Sequence, residues 1–343
     1  MSSEKQSHDV VLIERYPDNF DRYKWGGIET AYWNLARVLP RHGVEVVWYS
    51  AQEYPTVDDL VKRITAEKIT AIFPLVESEL FRAGDRGPAW LKQRTVRIWH
   101  DVSFFTASHT ELTACSAHQL GANAADCQAI AVAPAAYAAD IFFHDELWTY
   151  CFPKRHYIPW AADHIPACDY HSPNGPIVLL AGKIAFERLS PVVETCLAKG
   201  LRLRVIFNNW SKRGKEARNY FNSLKLAERH EIFDCYDLEH DHERIFGGTS
   251  AALVLSDYHE TFNFLSAEAV QLGIPVVAYV HSGATRRFAA HLVEDNRELL
   301  AWLKGDGIER LTPIPRPHWS WSDVGAAYTK LLHIIKTNCS QRV

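Results

Sequence analysis

The stretch that decides the fold is Ala252-Leu253-Val254-Leu255-Ser256-Asp257-Tyr258-His259-Glu260-Thr261-Phe262-Asn263-Phe264-Leu265-Ser266-Ala267-Glu268-Ala269-Val270-Gln271-Leu272-Gly273-Ile274-Pro275-Val276-Val277-Ala278-Tyr279. It opens on a short apolar run, which is what a strand buried on both faces requires. A polar loop follows, then an apolar helical segment from Leu265 to Leu272. Gly273 is a C-terminal cap, and Pro275 leads into an apolar, β-branched strand. The order strand, helix, strand is a βαβ unit, which implies parallel pairing.

Working outward, the same alternation fills the chain. Upstream, Ile177–Ala181, Leu203–Phe207 and Glu231–Phe233 read as strands. Pro191–Lys199, Lys215–Arg229 and Asp241–Phe246 read as helices, and Pro275–Tyr279 as the last strand of the series. Before it, Pro166–Pro176 has the polar, Pro- and Gly-containing look of a linker. An earlier series starts with a strand at Val10–Ile13. Gly26-Gly27 then leads into a helix with apolar residues at Ile28, Ala31, Tyr32, Leu35, Ala36 and Leu39. Further strands are expected at Val44–Tyr49, Ala71–Val76, Val96–Trp99, Leu147–Tyr150 and His156–Ile158, and helices at Asp58–Ala66 and Thr110–Tyr137. Two such series predict an α/β protein with two Rossmann-like domains.

Composition agrees. The 343 residues suit two domains, and 47% hydrophobic with 23% charged residues describes a chain with real cores. The formal net charge of −4 argues against a nucleic-acid binder. Seven cysteines without a C-x-x-C pair suggest reduced thiols in a cytoplasmic protein rather than a zinc site or disulfide framework. The N-terminus lacks the apolar stretch of a signal peptide, and the run Ala129–Ala139 is too short to span a bilayer. Arg82, Arg86, Lys92, Arg94 and Arg97 form a loosely basic stretch, but Glu77, Glu79 and Asp85 dilute it, so membrane docking is not favoured.

In doubly wound sheets, ligands bind beyond the carboxyl ends of strands. Four features lie there. Gly26-Gly27 opens a helix and lets an anion approach backbone N–H groups. It is not G-x-G-x-x-G, which disfavours a nicotinamide-dependent oxidoreductase. His100-Asp101 ends a strand. Gly182-Lys183, with Arg188 further on, sets two cations where they could clamp a diphosphate. Glu260 in a loop and Glu268 in the following helix are acids suited to accept hydrogen bonds from ligand hydroxyls.

The spacing from Glu260 through Phe262 to Glu268-Ala269 and on to Gly273-Ile274-Pro275-Val276-Val277-Ala278 resembles the signature of the family-four retaining glycosyltransferases with the GT-B fold. Gly182-Lys183-Ile184 with Arg188 is similar to that family's G-R-L and later Lys, with the two cations exchanged. Gly26-Gly27 with His42-Gly43-Val44-Glu45-Val46, His100-Asp101, Ile158-Pro159 with Asp163, and Trp319-Ser320-Trp321 resemble further family motifs in order. At the junction Trp160 and Ala161 replace the usual Asn and Gly. Ser116–Tyr137 matches no motif.

The resemblance implies two Rossmann-like domains facing across a cleft. Residues 1–163 would be the acceptor domain and 164–318 the nucleotide-sugar domain, with 319–343 a helix returning to the first. It implies transfer of a sugar from a UDP- or GDP-sugar to a small-molecule or glycan acceptor, with retention. By the same resemblance, Glu268 accepts the ribose hydroxyls and Lys183 and Arg188 neutralise the diphosphate. Gly26 and Gly27 admit the phosphates. Glu260, Phe262 and the N–H groups near Asn263 and Phe264 hold the sugar, and His100 touches it. No Asp-x-Asp occurs, in keeping with an enzyme that needs neither metal nor cofactor. The alternative is a sugar-nucleotide-binding protein, epimerase or phosphorylase on the same fold.

Overall fold

The structure, a computed structural model, describes residues 9–14, 26–49, 56–74, 89–99, 138–143, 154–207, 212–224, 230–233, 236–257 and 260–340. By internal contacts the chain forms two units. One holds Met1–Phe20, Ile28–Trp160 and Trp319–Val343, the other Asp21–Gly27 and Ala161–His318. The junction falls at Trp160, slightly before the expected boundary at 163. The reason is aromatic packing: the Trp160 ring lies 5.1 Å from Phe143, 5.6 Å from Trp321 and 5.9 Å from Tyr328, all within the first unit.

In the first unit the strands are β1 (Asp9–Glu14), β2 (Val44–Tyr49), β3 (Ala71–Phe73), β4 (Val96–Ile98), β5 (Ala139–Phe142) and β6 (Arg155–Tyr157). The helices α1 (Gly27–Val38), α2 (Val57–Ala66) and α3 (Ala89–Lys92) come between them. β1 pairs in parallel with β2 and β3, and β5 with β4 and β6. A parallel bridge from Ile72 to Thr95 links the two three-stranded pieces. Val11, Leu12 and Ile13 are fully buried, as a central strand requires.

β5 has no counterpart in the sequence reading. Its run Ala139-Asp140-Ile141-Phe142 carries a charge, which breaks the apolar pattern, yet Asp140 is fully buried. Arg97 Nη2 lies 2.7 Å from its Oδ1, and the Trp99 indole N–H donates to the same oxygen at 2.9 Å. Burial raises the Asp140 carboxyl above its ordinary range, with Arg97 opposing the shift.

The second unit carries β7 (Ile177–Leu180), α4 (Phe186–Ala198), β8 (Leu203–Ile206), α5 (Lys212–Ser223), β9 (Glu231–Phe233) and α6 (Leu238–Phe246). It continues with β10 (Ala251–Val254), α7 (Phe264–Gln271), β11 (Val276–Tyr279), β12 (Ala289–Val293) and α8 (Asn296–Lys304). All pairs are parallel, in the order β9-β8-β7-β10-β11-β12. This is the doubly wound order, and its direction reverses between β7 and β10.

Alternate residues of β7 face opposite cores. Ile177 and Leu179 join Leu189, Val192 and Val193 of α4 and Leu299 and Leu303 of α8. Val178 and Leu180 join Ile245 and Phe246 of α6 and Leu265 and Val270 of α7.

In this unit α4, β12 and α8 differ most from the sequence reading. α4 begins before Pro191, which sits inside it; burial of Leu189, Val192 and Val193 offsets the hydrogen bond that Pro cannot donate. β12 and α8 extend the series beyond β11. The Asp295 side chain caps α8, accepting the Glu298 N–H at 2.8 Å, and Asp295-x-x-Glu298 is a readable capping box.

The last helix, α9 (Trp321–Ser340), belongs to the first unit. Ser320 Oγ accepts the Asp323 N–H at 3.2 Å, while Asp323 accepts the Ser320 N–H at 2.8 Å. Val324, Tyr328 and Leu332 are fully buried. Lys336 Nζ donates to Asp9 Oδ1 at 3.0 Å, tying α9 to the start of β1.

Candidate functional site

The reversal point of the second sheet brings together the loops after β7 and β10. The first carries Lys183 and leads into α4 with Arg188. The second carries Ser256, Asp257 and Glu260 and leads into α7 with Glu268. Four of the expected site residues therefore come from two neighbouring strand ends.

Lys183 and Glu260 are an ion pair, with Nζ 2.8 Å from Oε1 and 3.1 Å from Oε2. Ser256 Oγ donates to the same Oε1 at 2.9 Å. The Glu260 carbonyl accepts the Ala284 N–H at 2.7 Å, and Glu260 bridges to Gly283. Gly283 has φ +60°, a conformation that favours glycine. Side chain and backbone thus both hold Glu260 in place.

Arg188 and Asp257 form a second pair, Nη1 to Oδ1 at 2.7 Å. Asp257 Oδ2 also accepts the N–H of Ala185, the N-cap of α4, at 2.7 Å. A carboxylate there complements the helix dipole. The Arg188 guanidinium lies 4.8 Å from the centroid of the Tyr279 ring. The Tyr279 hydroxyl donates to Asn296 Oδ1 at 2.7 Å, and Asn296 Nδ2 donates to the Arg188 carbonyl at 3.1 Å. Burial pushes the Tyr279 phenol up to about 12, with Arg188 pulling the other way. It stays a donor at neutral pH.

Glu268 lies in α7 and is 2% exposed. Its Oε1 sits 2.8 Å from His164 Nε2, and its Oε2 has no hydrogen-bond partner among the described residues. Burial and the nearby Glu268 charge both raise the Tyr236 phenol, burial more strongly. Asn263 caps α7, its Oδ1 accepting from the Ser266 N–H at 2.9 Å and from Ser266 Oγ at 3.0 Å. Phe264, the first residue of α7, has its ring edge-on to Phe262 at 4.9 Å and to His164 at 5.9 Å.

Gly27 opens α1, directly after Gly26. His100 lies outside the described residues, as do Asp101, Tyr258, His259 and the stretches expected at Thr110–Tyr137 and Leu147–Tyr150. Asp257 and His164 are site neighbours to which the sequence reading gave no role. Asp257 could have been suspected from its place just after the β10 strand, three positions before Glu260. Nothing in the sequence next to His164, which lies between Asp163 and the linker starting at Pro166, signals its partner. Among the described residues no group of three or more His, Cys, Asp and Glu is placed to hold a metal ion.

Two cations and three acids beyond the strand ends of a doubly wound sheet suit an anionic ligand that also carries hydroxyls. No protein-family model matches the chain. It is 41% identical over 334 residues to the UDP-GlcNAc:ribostamycin N-acetylglucosaminyltransferase of Streptomyces fradiae, covering 94% of this chain and 90% of that protein. The chain belongs to the nucleotide-sugar-dependent glycosyltransferases.

This glycosyltransferase has the GT-B fold. It is similar to Anabaena HepE, solved with UDP and glucose, with a TM-score of 0.58 at 15% identity over 98% of this chain and 99% of that one. It is also similar to the Methanocaldococcus jannaschii UDP-GlcNAc 2-epimerase, with a TM-score of 0.53 at 11% identity over 94% and 99% of the two chains. The fold is thus also that of an epimerase, and the 41% identical transferase decides between the two activities. Among the described residues no helix of this glycosyltransferase is long and apolar enough to cross a membrane.

Proposed function

We propose that the enzyme transfers N-acetylglucosamine from UDP-GlcNAc to a hydroxyl of an aminoglycoside of the ribostamycin type, with retention at the anomeric carbon and without a metal. The 41% identity to the ribostamycin enzyme, spread over nearly the whole of both chains, carries the choice of donor and acceptor. The formal net charge of −4 suits an acceptor bearing several ammonium groups.

The donor's leaving group is a diphosphate, so the main demand is to stabilise departing negative charge. Lys183 and Arg188 meet it. Their present partners, Glu260 and Asp257, hold them in place before the donor arrives. The Lys183 and Arg188 side chains are 37% and 34% exposed, while their acids are largely buried, so each pair is anchored at its acid and open to solvent at its cation. A diphosphate making charge-assisted hydrogen bonds can therefore displace or share them.

Glu268 Oε2 supports the ribose assignment: a buried carboxylate oxygen without a donor among the described residues suits a ligand hydroxyl. Glu260, Phe262 and the backbone near Asn263 and Phe264 are assigned to the sugar, Gly26 and Gly27 to the approach of the phosphates, and His100 to a contact with the transferred sugar. As the anomeric C–O bond to the diphosphate breaks, the acceptor oxygen attacks from the same face. Its proton passes to the departing phosphate oxygen, so no side chain is assigned as base.

The test is a donor panel. Ribostamycin is incubated with UDP-GlcNAc, UDP-glucose, UDP-galactose or GDP-mannose, and products are read by mass spectrometry. A product heavier by one N-acetylhexosamine, formed with UDP-GlcNAc and at least tenfold faster than any other donor product, is expected. Preference for another donor, or hydrolysis with every donor and no aminoglycoside product, contradicts the proposal.

A further inference from the structure

We propose that His164 is the positioning residue of the nucleotide site: its imidazole fixes the Glu268 carboxylate so that one oxygen is kept for the ribose. This rests on the assignment of Glu268 to the ribose and adds the residue that makes the assignment work.

A glutamate carboxylate turns readily about its last torsion, which has a broad energy profile. Pointing one oxygen at a ligand therefore takes a second contact on the other oxygen. His164 supplies it. Nε2 and Oε1 are 2.8 Å apart, with side-chain exposures of only 4% and 2%. At such burial a hydrogen bond to a carboxylate is strong and directional.

His164 is itself held on several sides. Ala162 and Ile165 are buried in the core that includes α7, and the Ile165 N–H donates to the Ala162 carbonyl at 3.2 Å. The imidazole meets the Phe264 ring edge-on, with 73° between the planes. Phe264 starts the helix that carries Glu268. The same helix thus supports both partners, and Oε2 remains the oxygen available to a hydroxyl. Burial keeps His164 from reaching a substrate itself, so it acts through Glu268.

The prediction is a loss of ribose selectivity. UDP, 2′-deoxy-UDP and 3′-deoxy-UDP are titrated into the purified enzyme, His164→Ala, His164→Gln and Glu268→Gln, with melting curves alongside. The ratio of dissociation constants for deoxy-UDP and UDP is independent of the fraction of folded protein. For the enzyme it should be at least tenfold for one of the two deoxy analogues. In His164→Ala it should fall to within about threefold of unity. In His164→Gln, whose amide N–H can still donate to Oε1, it should be largely restored. The donor KM should rise in His164→Ala with kcat within a few-fold of normal.

A melting-temperature loss in His164→Ala with the ratio unchanged would overturn the positioning role. If Glu268→Gln abolished the selectivity while His164→Ala kept it, the ribose assignment would stand and the inference about His164 would fall. If Glu268→Gln also left the ratio unchanged, the ribose assignment would fall and the inference with it.

Discussion

Lys183 and Glu260 form a two-pronged ion pair, with Nζ 2.8 and 3.1 Å from the two carboxylate oxygens, between the loops that follow adjacent strands β7 and β10. With the pair of Arg188 and Asp257 at 2.7 Å, it makes this corner of the sheet balanced in charge. A site for a diphosphate needs its cations aimed but not locked. The two pairs provide that, because the largely buried carboxylates orient the cations while the cation side chains keep about a third of their surface open to a ligand of higher charge.

Lys183→Ala and Arg188→Ala are therefore expected to lower kcat/KM strongly. Losing one charge-assisted contact to a developing diphosphate costs about 3 kcal/mol, or roughly a hundredfold in rate. Steady-state kinetics with the donor varied provide the check. Near-normal rates in both variants would move the phosphates elsewhere.

The two glutamates should separate kinetically. Ribose contacts are alike in ground and transition states, so Glu268→Gln should mainly raise the donor KM. Glu260 is tied to Lys183; with its proposed assignment to the transferred sugar it would stand nearer the developing charge, so Glu260→Gln should mainly lower kcat. Measuring both constants beside melting curves distinguishes these effects from a shared loss of stability.

Trp160 should be a stability residue. Its ring is 3% exposed and stacks on Tyr328, which is fully buried in α9. Replacing a buried aromatic by alanine costs about 3–5 kcal/mol. Trp160→Ala should lower the Tm by several degrees in calorimetry, and an unchanged Tm would contradict the packing described.

Cys196 should be inert. It is fully buried in α4, and burial pushes its thiol up to about 12. Since the thiolate is the nucleophile, iodoacetamide at pH 8 should leave Cys196 unlabelled in the folded protein and label it after denaturation. Because the folded thiol is raised above its ordinary value of 9.0, ionisation favours the unfolded chain above that pH, and this contribution to stability is lost as pH rises from 9 toward 12. Peptide mapping by mass spectrometry reads the labelling.

Much of the second unit was legible because its strands are short apolar runs and its helices carry caps. The apolar run at Ile177–Leu180 and the Gly273 cap each mark an element without ambiguity. Lys183, Arg188, Glu260 and Glu268 could be singled out because chemistry at strand ends is confined to few positions. What could not be read depends on contacts between distant residues. Asp140 hides a strand because its charge is compensated by Arg97 and Trp99 on the neighbouring strand side. His164, between the junction motif ending at Asp163 and the linker starting at Pro166, carries no local signal until the fold sets it beside Glu268, 104 positions away. Pro191 reads as the start of a helix because its neighbours' burial is invisible in the local pattern.

The most direct test of the account joins reaction and site in one measurement. The enzyme, freed of metals with EDTA, is incubated with UDP-GlcNAc and ribostamycin, and the product's new anomeric carbon is examined by NMR. The donor sugar is α-linked to the diphosphate. The account predicts sustained turnover and an α-linked N-acetylglucosamine in the product. A β-linked product, or turnover that stops in EDTA and returns only with added magnesium or manganese, would contradict it.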